Sequence, residues 1–222
     1  MKSFKNILFV AAIPLVLAQN YASAREVSYV HHPSPPDTTV KSGCNLPSVK
    51  LIPYSPLSEN EKQGLLFMRE EEKLAHDVYI TLGAVWDFPI FSNISRSESV
   101  HMEAVLSLLE KYEIQDPVKK ETCGDFSNTV FTGLYESLVK QGNASLVEAL
   151  KAGAFVEETD IADLRERIKE SDNDDIKQVY ENLLQASYRH FRAFNRNLAF
   201  REATYQPQRL SQKEFDEILE ME

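Results

Sequence analysis

Acids and histidines stand in this chain where a helical bundle should bury leucines. Ile94, Glu98, His101, Val105, Leu108 and Tyr112 are spaced by three or four residues, which places all six on one helical face. The same spacing runs through Leu65, Met68, Glu72, Ala75, Tyr79 and Leu82. It recurs in Leu150, Ala154, Glu157, Ile161, Leu164 and Ile168, and in Leu183, Ser187, His190, Phe194 and Leu198. A buried carboxylate or imidazole is costly unless it is paired or coordinates a metal. Polar groups on the inward stripes of four helices therefore need one another, and a cation between them would satisfy that need.

The beginning of the chain has another character. Lys2 and Lys5 precede an apolar run from Ile7 to Ala18, and Ala22-Ser23-Ala24 has the small-residue pattern of a cleavage site. Residues 1–24 read as a secretory signal peptide, which places the mature protein in the periplasm or outside the cell. No cysteine follows the apolar run directly, so a lipid anchor is not expected. Losing the two lysines moves the formal charge from -10 to -12 and leaves 222 minus 24, or 198, residues, enough for one substantial core. Such an acidic chain is a poor partner for nucleic acid or an anionic membrane.

Residues 25–56 form a proline-rich leader containing Pro33, Pro35, Pro36, Pro47, Pro53 and Pro56, with His31 and His32 in a solvated stretch. Two cysteines, Cys44 and Cys123, suggest one disulfide in an oxidising compartment. It would close a loop of about 80 residues, worth roughly 4–5 kcal/mol in the chain-entropy model.

From residue 57 to 222 the pattern is helical. Serines followed three residues later by glutamate, at Ser58, Ser95, Ser145 and Ser211, match the capping box that opens helices. Helices are expected near 58–86, 92–113, 128–141, 145–170, 174–200 and 211–221. Strand-like alternation is nearly absent. The expected fold is all-α: an antiparallel four-helix bundle with a short extra helix between its halves and a C-terminal helix.

The halves echo each other. Glu71-Glu72 on the first long helix is matched by Glu157-Glu158 on the third, and Glu98-x-x-His101 on the second by Ser187-x-x-His190 on the fourth. Carboxylate-dimetal bundles use one Glu from each of two helices and Glu-x-x-His from each of the others. Glu72 followed by Ala75 and Tyr79, together with Glu98-x-x-His101, resembles the ligand motifs of the ferritin-like superfamily. Met68-Arg69-Glu70-Glu71-Glu72-Lys73-Leu74-Ala75, Ser97-Glu98-x-x-His101-Met102, Glu157-Glu158-x-Asp160-Ile161-x-Asp163-Leu164 and Ser187-x-x-His190-x-Arg192-Ala193-Phe194 resemble an uncharacterised prokaryotic family of ferritin-like bundles, a domain of unknown function. The resemblance spans about Leu57 to Ser211. It implies a ferritin-like fold and metal ligands at Glu72, Glu98, His101, Glu157 and His190.

Ser187 departs from the superfamily pattern, which expects a Glu there. The departure favours a single metal or an unequal pair, with Asp160 as a substitute carboxylate. Oxygen and nitrogen donors suit iron first, then manganese or zinc. Other readings stand beside these. Glu98 is also placed to cap with Ser95. The apolar weighting of the first helix favours Glu71, whereas Ala75 and Tyr79 favour Glu72. On the third helix the stripe favours Glu157 over Glu158. His76 reads as a surface histidine, and Tyr79, Tyr112 and Tyr180 as core.

Two functions follow from these residues. One is an exported ferritin-like metal protein whose iron or manganese reacts with oxygen or peroxide, a non-haem oxidoreductase of the ferroxidase or peroxidase kind. The other is a non-catalytic helical module with a degenerate site. The expected partners are a metal ion and a small oxidant, with a homodimer allowed; no catalytic residue is assigned. Hydrolase motifs such as Gly-x-Ser-x-Gly and His-Glu-x-x-His are absent.

Overall fold

The computed structural model describes residues 55–221. The expected signal peptide, almost all of the proline-rich leader and Cys44 lie outside the described residues, so the Cys44–Cys123 bridge does too. Cys123 itself is exposed in the loop that follows the second helix.

Six helices and no strands make up the described residues: α1 (Glu59–Trp86), α2 (Pro89–Lys111), α3 (Thr129–Gly142), α4 (Leu146–Glu170), α5 (Asp174–Ala199) and α6 (Gln212–Glu220). None is long and apolar enough to cross a membrane. Ser58 and Ser211 open α1 and α6 with full capping boxes, and Ser145 caps α4 through the Glu148 amide. Ser95 does not cap. α2 begins at Pro89, because proline at the first helical position gives up an amide that has no intrahelical partner. Ser95 then lies inside the helix and donates to the Ser92 carbonyl at 3.2 Å. Glu98 is thereby released from the capping role and stands in the interior of α2.

Four helices, α1, α2, α4 and α5, pack as a bundle, with α1 against α2 and α4 against α5. Contacts between the pairs fix their directions. Glu61 at the start of α1 accepts from the backbone amides of Asp172 and Asn173 between α4 and α5, at 2.9 and 3.0 Å. At the other end of α1, the Trp86 indole donates to the Gly142 carbonyl, just before α4. α1 and α4 therefore run antiparallel. Tyr112, which follows α2, donates to Asp175 at the start of α5, so α2 and α5 run antiparallel as well. The chain returns between α2 and α4 through a connection containing α3, which packs on α1 and α4.

One turn of α1 anchors that connection. Arg69, Glu70, Glu71, Glu72 and Lys73 are all buried. Arg69 pairs with Asp116 at 3.0 Å, while Glu70 accepts from the amides of Ser127 and Asn128 at the approach to α3. Lys73 is bound to Asp77 and to the Thr122 carbonyl, and lies 4.7 Å from the centre of the Phe126 ring. Glu158 does the same work at the far end, accepting from the amides of Gln208, Arg209 and Leu210 and from the Tyr205 hydroxyl. These buried acids and bases tie loops to the bundle.

Close approach of α4 and α5 needs a glycine. A β-carbon at Gly153 would collide with the ring of Phe194, which itself packs on Tyr79 and Phe91 at 5.4 and 6.0 Å between centroids. Gly153→Ala is expected to destabilise the protein by about 1–3 kcal/mol through overpacking, read from a denaturant melt of wild type and variant. An unchanged midpoint would show that the interface yields.

Candidate metal centre

The four inward stripes bring their polar members together in the bundle core. Glu72, Glu98 and Glu157 are buried, His101 is buried, and His190 is slightly more accessible. The helical steps of three and four dictate this, since they aim each side chain at the axis among leucines and aromatics. Glu98 is the central group. One of its oxygens lies 2.7 Å from Nδ1 of His101 on the same helix, and the other lies 2.9 Å from Nδ1 of His190 on α5. His101 Nδ1 also meets Glu72 at 3.2 Å, and His190 Nδ1 lies 3.5 Å from Glu157. The two imidazoles stack with centroids 5.8 Å apart.

Among the described residues, two groups of side chains could hold a metal ion: Glu72, Glu98 and His101, and Glu98, Glu157 and His190. In each, one ligand atom per residue lies within 4.8 Å of the others, and Glu98 is common to both. All five residues expected from the sequence thus meet at one place. Several of their atoms have no hydrogen bond despite burial: Glu72 Oε1, Glu98 Oε1 and His190 Nδ1. The last two approach each other without hydrogen-bond alignment.

Flanking groups were less legible. Tyr79, read from its spacing as core, is buried and donates to Glu157 at 2.5 Å. Ser187 donates to Asp160, so the hydroxyl standing where a Glu is expected holds an aspartate one turn from Glu157. Glu71 is as deeply placed as Glu72, with Oε2 lacking a hydrogen bond. His76 belongs elsewhere: it is half-buried and lies 3.1 Å from Asp77. Tyr112 is committed to Asp175, and Tyr180 is core, with a buried hydroxyl lacking a hydrogen bond. Ser187 is the one sequence signal that could have located the Asp160 contact, through the helical register it shares with His190.

Electrostatics follow from burial and mutual charge. Burial raises Glu98, but the charges of His101 and His190 outweigh it and hold the carboxyl well below its usual range. Burial pushes Glu72 up to about 7 against the pull of His101. Glu157 rises through burial despite His190, and Asp160 rises well above the normal range through burial and the charges of Glu72 and Glu157. Burial alone would lower the histidines. Glu157 and Glu98 instead lift His190 to about 10, and Glu98 and Glu72 lift His101 well above its ordinary value. The cluster therefore holds protons that a divalent cation would displace.

The described chain is thus an all-helical protein with a buried Glu/His cluster able to hold a metal. It belongs to a family known as an uncharacterized protein domain (DUF2202), whose pattern matches residues 61–222. It is 53% identical to the uncharacterized protein MJ0754 of Methanocaldococcus jannaschii over 171 residues, covering 77% of this chain and 92% of that protein. The crystal structure of hypothetical protein MJ0754 from Methanococcus jannaschii superposes with a TM-score of 0.76, covering 77% of this chain and 98% of the other at the same identity.

The shifts fix a pH dependence for metal-free protein. Glu72 and His190 bind protons more tightly when folded, so their contribution is present at low pH and is lost as pH rises through about 7 and about 10. Glu61 acts oppositely. Burial raises it, but hydrogen bonds from Ser58 and Asn173 outweigh burial and lower it to about 2, so its contribution is lost only as pH falls through that value. The melting temperature of chelator-treated protein is expected to be higher at pH 5 than at pH 9. A higher value at pH 9 would contradict the assigned proton inventory.

Proposed function

We propose that this chain is a ferritin-like metal protein that holds iron, with manganese as the alternative, at Glu72, Glu98, His101, Glu157 and His190. Its reaction would be redox chemistry with oxygen or peroxide. The observation that carries the reading is Glu98, whose two oxygens face two histidines on different helices, each beside a further glutamate. Glu72 Oε1, buried without a hydrogen bond, fits a cation, because an unpaired buried carboxylate oxygen is otherwise costly. The up-down-down-up order of α1, α2, α4 and α5 supports a ferritin-like bundle. The basic start and small-residue cleavage pattern support export to the periplasm or beyond.

Glu72 and His101 would hold one ion, Glu157 and His190 the other, with Glu98 between them. The metal would supply the electrons for reducing the oxidant. Hard carboxylate oxygens and borderline imidazole nitrogens suit iron and manganese. Tyr79 orients Glu157 through its hydrogen bond, and Ser187 holds Asp160 near Glu72 and Glu157. Glu72, Glu98 and Glu157 offer three negative charges against four from two divalent ions, which favours one ion or an unequal pair, with Asp160 as a substitute for the missing carboxylate. Tyr79, Phe91 and Phe194 are buried beside this end of the core. The second reading, a core whose polar groups only pair with one another, draws on the same His101 contacts with Glu72 and Glu98.

Anaerobic titration with Fe(II) or Mn(II) separates the two. His101→Ala is expected to lose bound metal while keeping its helical circular dichroism. Ser187→Glu is expected to weaken the metal-free fold, by crowding Asp160, and to raise occupancy toward two ions. If the polar core is only structural, wild type takes up neither metal, and His101→Ala costs about 3–5 kcal/mol by stranding buried carboxylates.

A further inference from the structure

Glu71 and Asp163 are left over from the site. Asp163, Asp160 and Glu157 follow one another at intervals of three along α4, so each step winds about 60° round the helix and rises roughly 4.5 Å. Accessibility falls inward along this ladder: the Asp163 side chain is 16% exposed, Asp160 is 6% exposed, and Glu157 is 2% exposed. Glu71 on α1 borders the same ladder. It is 3% exposed and lies close enough to feel the charges of Asp163, Asp160 and Glu72.

Two buried oxygens on this line, Glu71 Oε2 and Asp160 Oδ1, have no hydrogen bond. Burying acids beside one another is expensive where no opposite charge reaches them, and neither Glu71 nor Asp160 has a basic partner among the described residues as Asp163 does. The fold has not paired them off as it paired Glu61, Glu70 and Glu158 with backbone amides. Nor do they form a cage, since neither Glu71 nor Asp163 belongs to either group whose ligand atoms converge. The arrangement is a file of acids leading from the surface to the cluster. At its outer end Asp163 already holds a cation, the Arg209 guanidinium at 2.6 Å. Glu158 accepts from the backbone amides of Gln208, Arg209 and Leu210, which holds the arginine's backbone beside α4.

We propose that Asp163, Glu71 and Asp160 form the route by which a divalent cation passes from solvent to the Glu/His cluster, with Arg209 as its removable cap. The inference rests on the metal-binding reading above. An entering ion displaces the guanidinium from Asp163, is handed to Glu71 and Asp160, and is delivered beside Glu72 and Glu157. These residues set the rate of loading and leave the final coordination to the cluster.

The test uses full-length metal-free protein mixed with Co(II) alone, followed by its visible absorption in stopped flow, with cobalt per chain counted at equilibrium. Asp163→Asn and Glu71→Gln are expected to slow uptake by about tenfold, and Arg209→Ala to speed it by a similar factor, at the low end of electrostatic steering. Equilibrium cobalt per chain should be the same in all four proteins. Uptake at the wild-type rate in both Asp163→Asn and Glu71→Gln would overturn the route while leaving the metal site standing. Lower equilibrium cobalt in Glu71→Gln would make Glu71 a ligand and likewise overturn the route. A wild type that binds no cobalt would remove the site and the route together.

Discussion

Burying Glu98 between two histidines is the constraint on which the rest of the core depends. A carboxylate removed from water destabilises a fold by several kcal/mol unless opposite charge reaches it. Here the compensation comes from both the same helix and α5, at 2.7 and 2.9 Å. It can be met only if α2 and α5 run side by side in the register that places residues 98 and 190 opposite each other. Each histidine brings a further acid, Glu72 from α1 and Glu157 from α4, so one carboxylate requires four helices to meet. Apolar packing around it supplies stability, whereas the polar cluster specifies which helices face which.

Around this centre the chain uses buried charge in a second way. Glu61, Glu70 and Glu158 accept hydrogen bonds from loop amides, and Arg69 and Lys73 hold the connection leading to α3. Such carboxylates are satisfied by donors of the chain itself. Glu72, Glu98 and Asp160 keep oxygens without hydrogen bonds, and Glu71 does as well. The difference separates acids that fasten loops from acids that face the cluster, even among residues adjacent in sequence. Glu157 and Glu158 are neighbours on α4, yet one faces the histidines and the other fastens the loop before α6.

Helical register made much of this visible in the sequence. Spacing of three and four assigned Glu98, His101 and His190 to inward faces, and the serine caps located the starts of α1, α4 and α6. It failed where distant parts of the chain decide. Arg69, Glu70 and Lys73 look like a solvated face around the inward Glu72, but their partners at Asp116, Thr122, Ser127 and Asn128 come from a loop more than forty residues away. Local signals also compete: Ser95 and Glu98 match a capping box, but Pro89 starts the helix earlier and turns the same Glu inward. The Tyr79–Glu157 bond joins two helices, and periodicity reports only that each residue faces the core.

On the reading proposed above, the acids and imidazoles converge on Glu98 to hold a cation. Elemental analysis of full-length protein, purified from its native compartment without chelator or affinity metal, tests this most directly. The account predicts iron or manganese at between one and two ions per chain. Protein that is folded, and carries neither metal above background even after anaerobic incubation with Fe(II) and Mn(II), would contradict it.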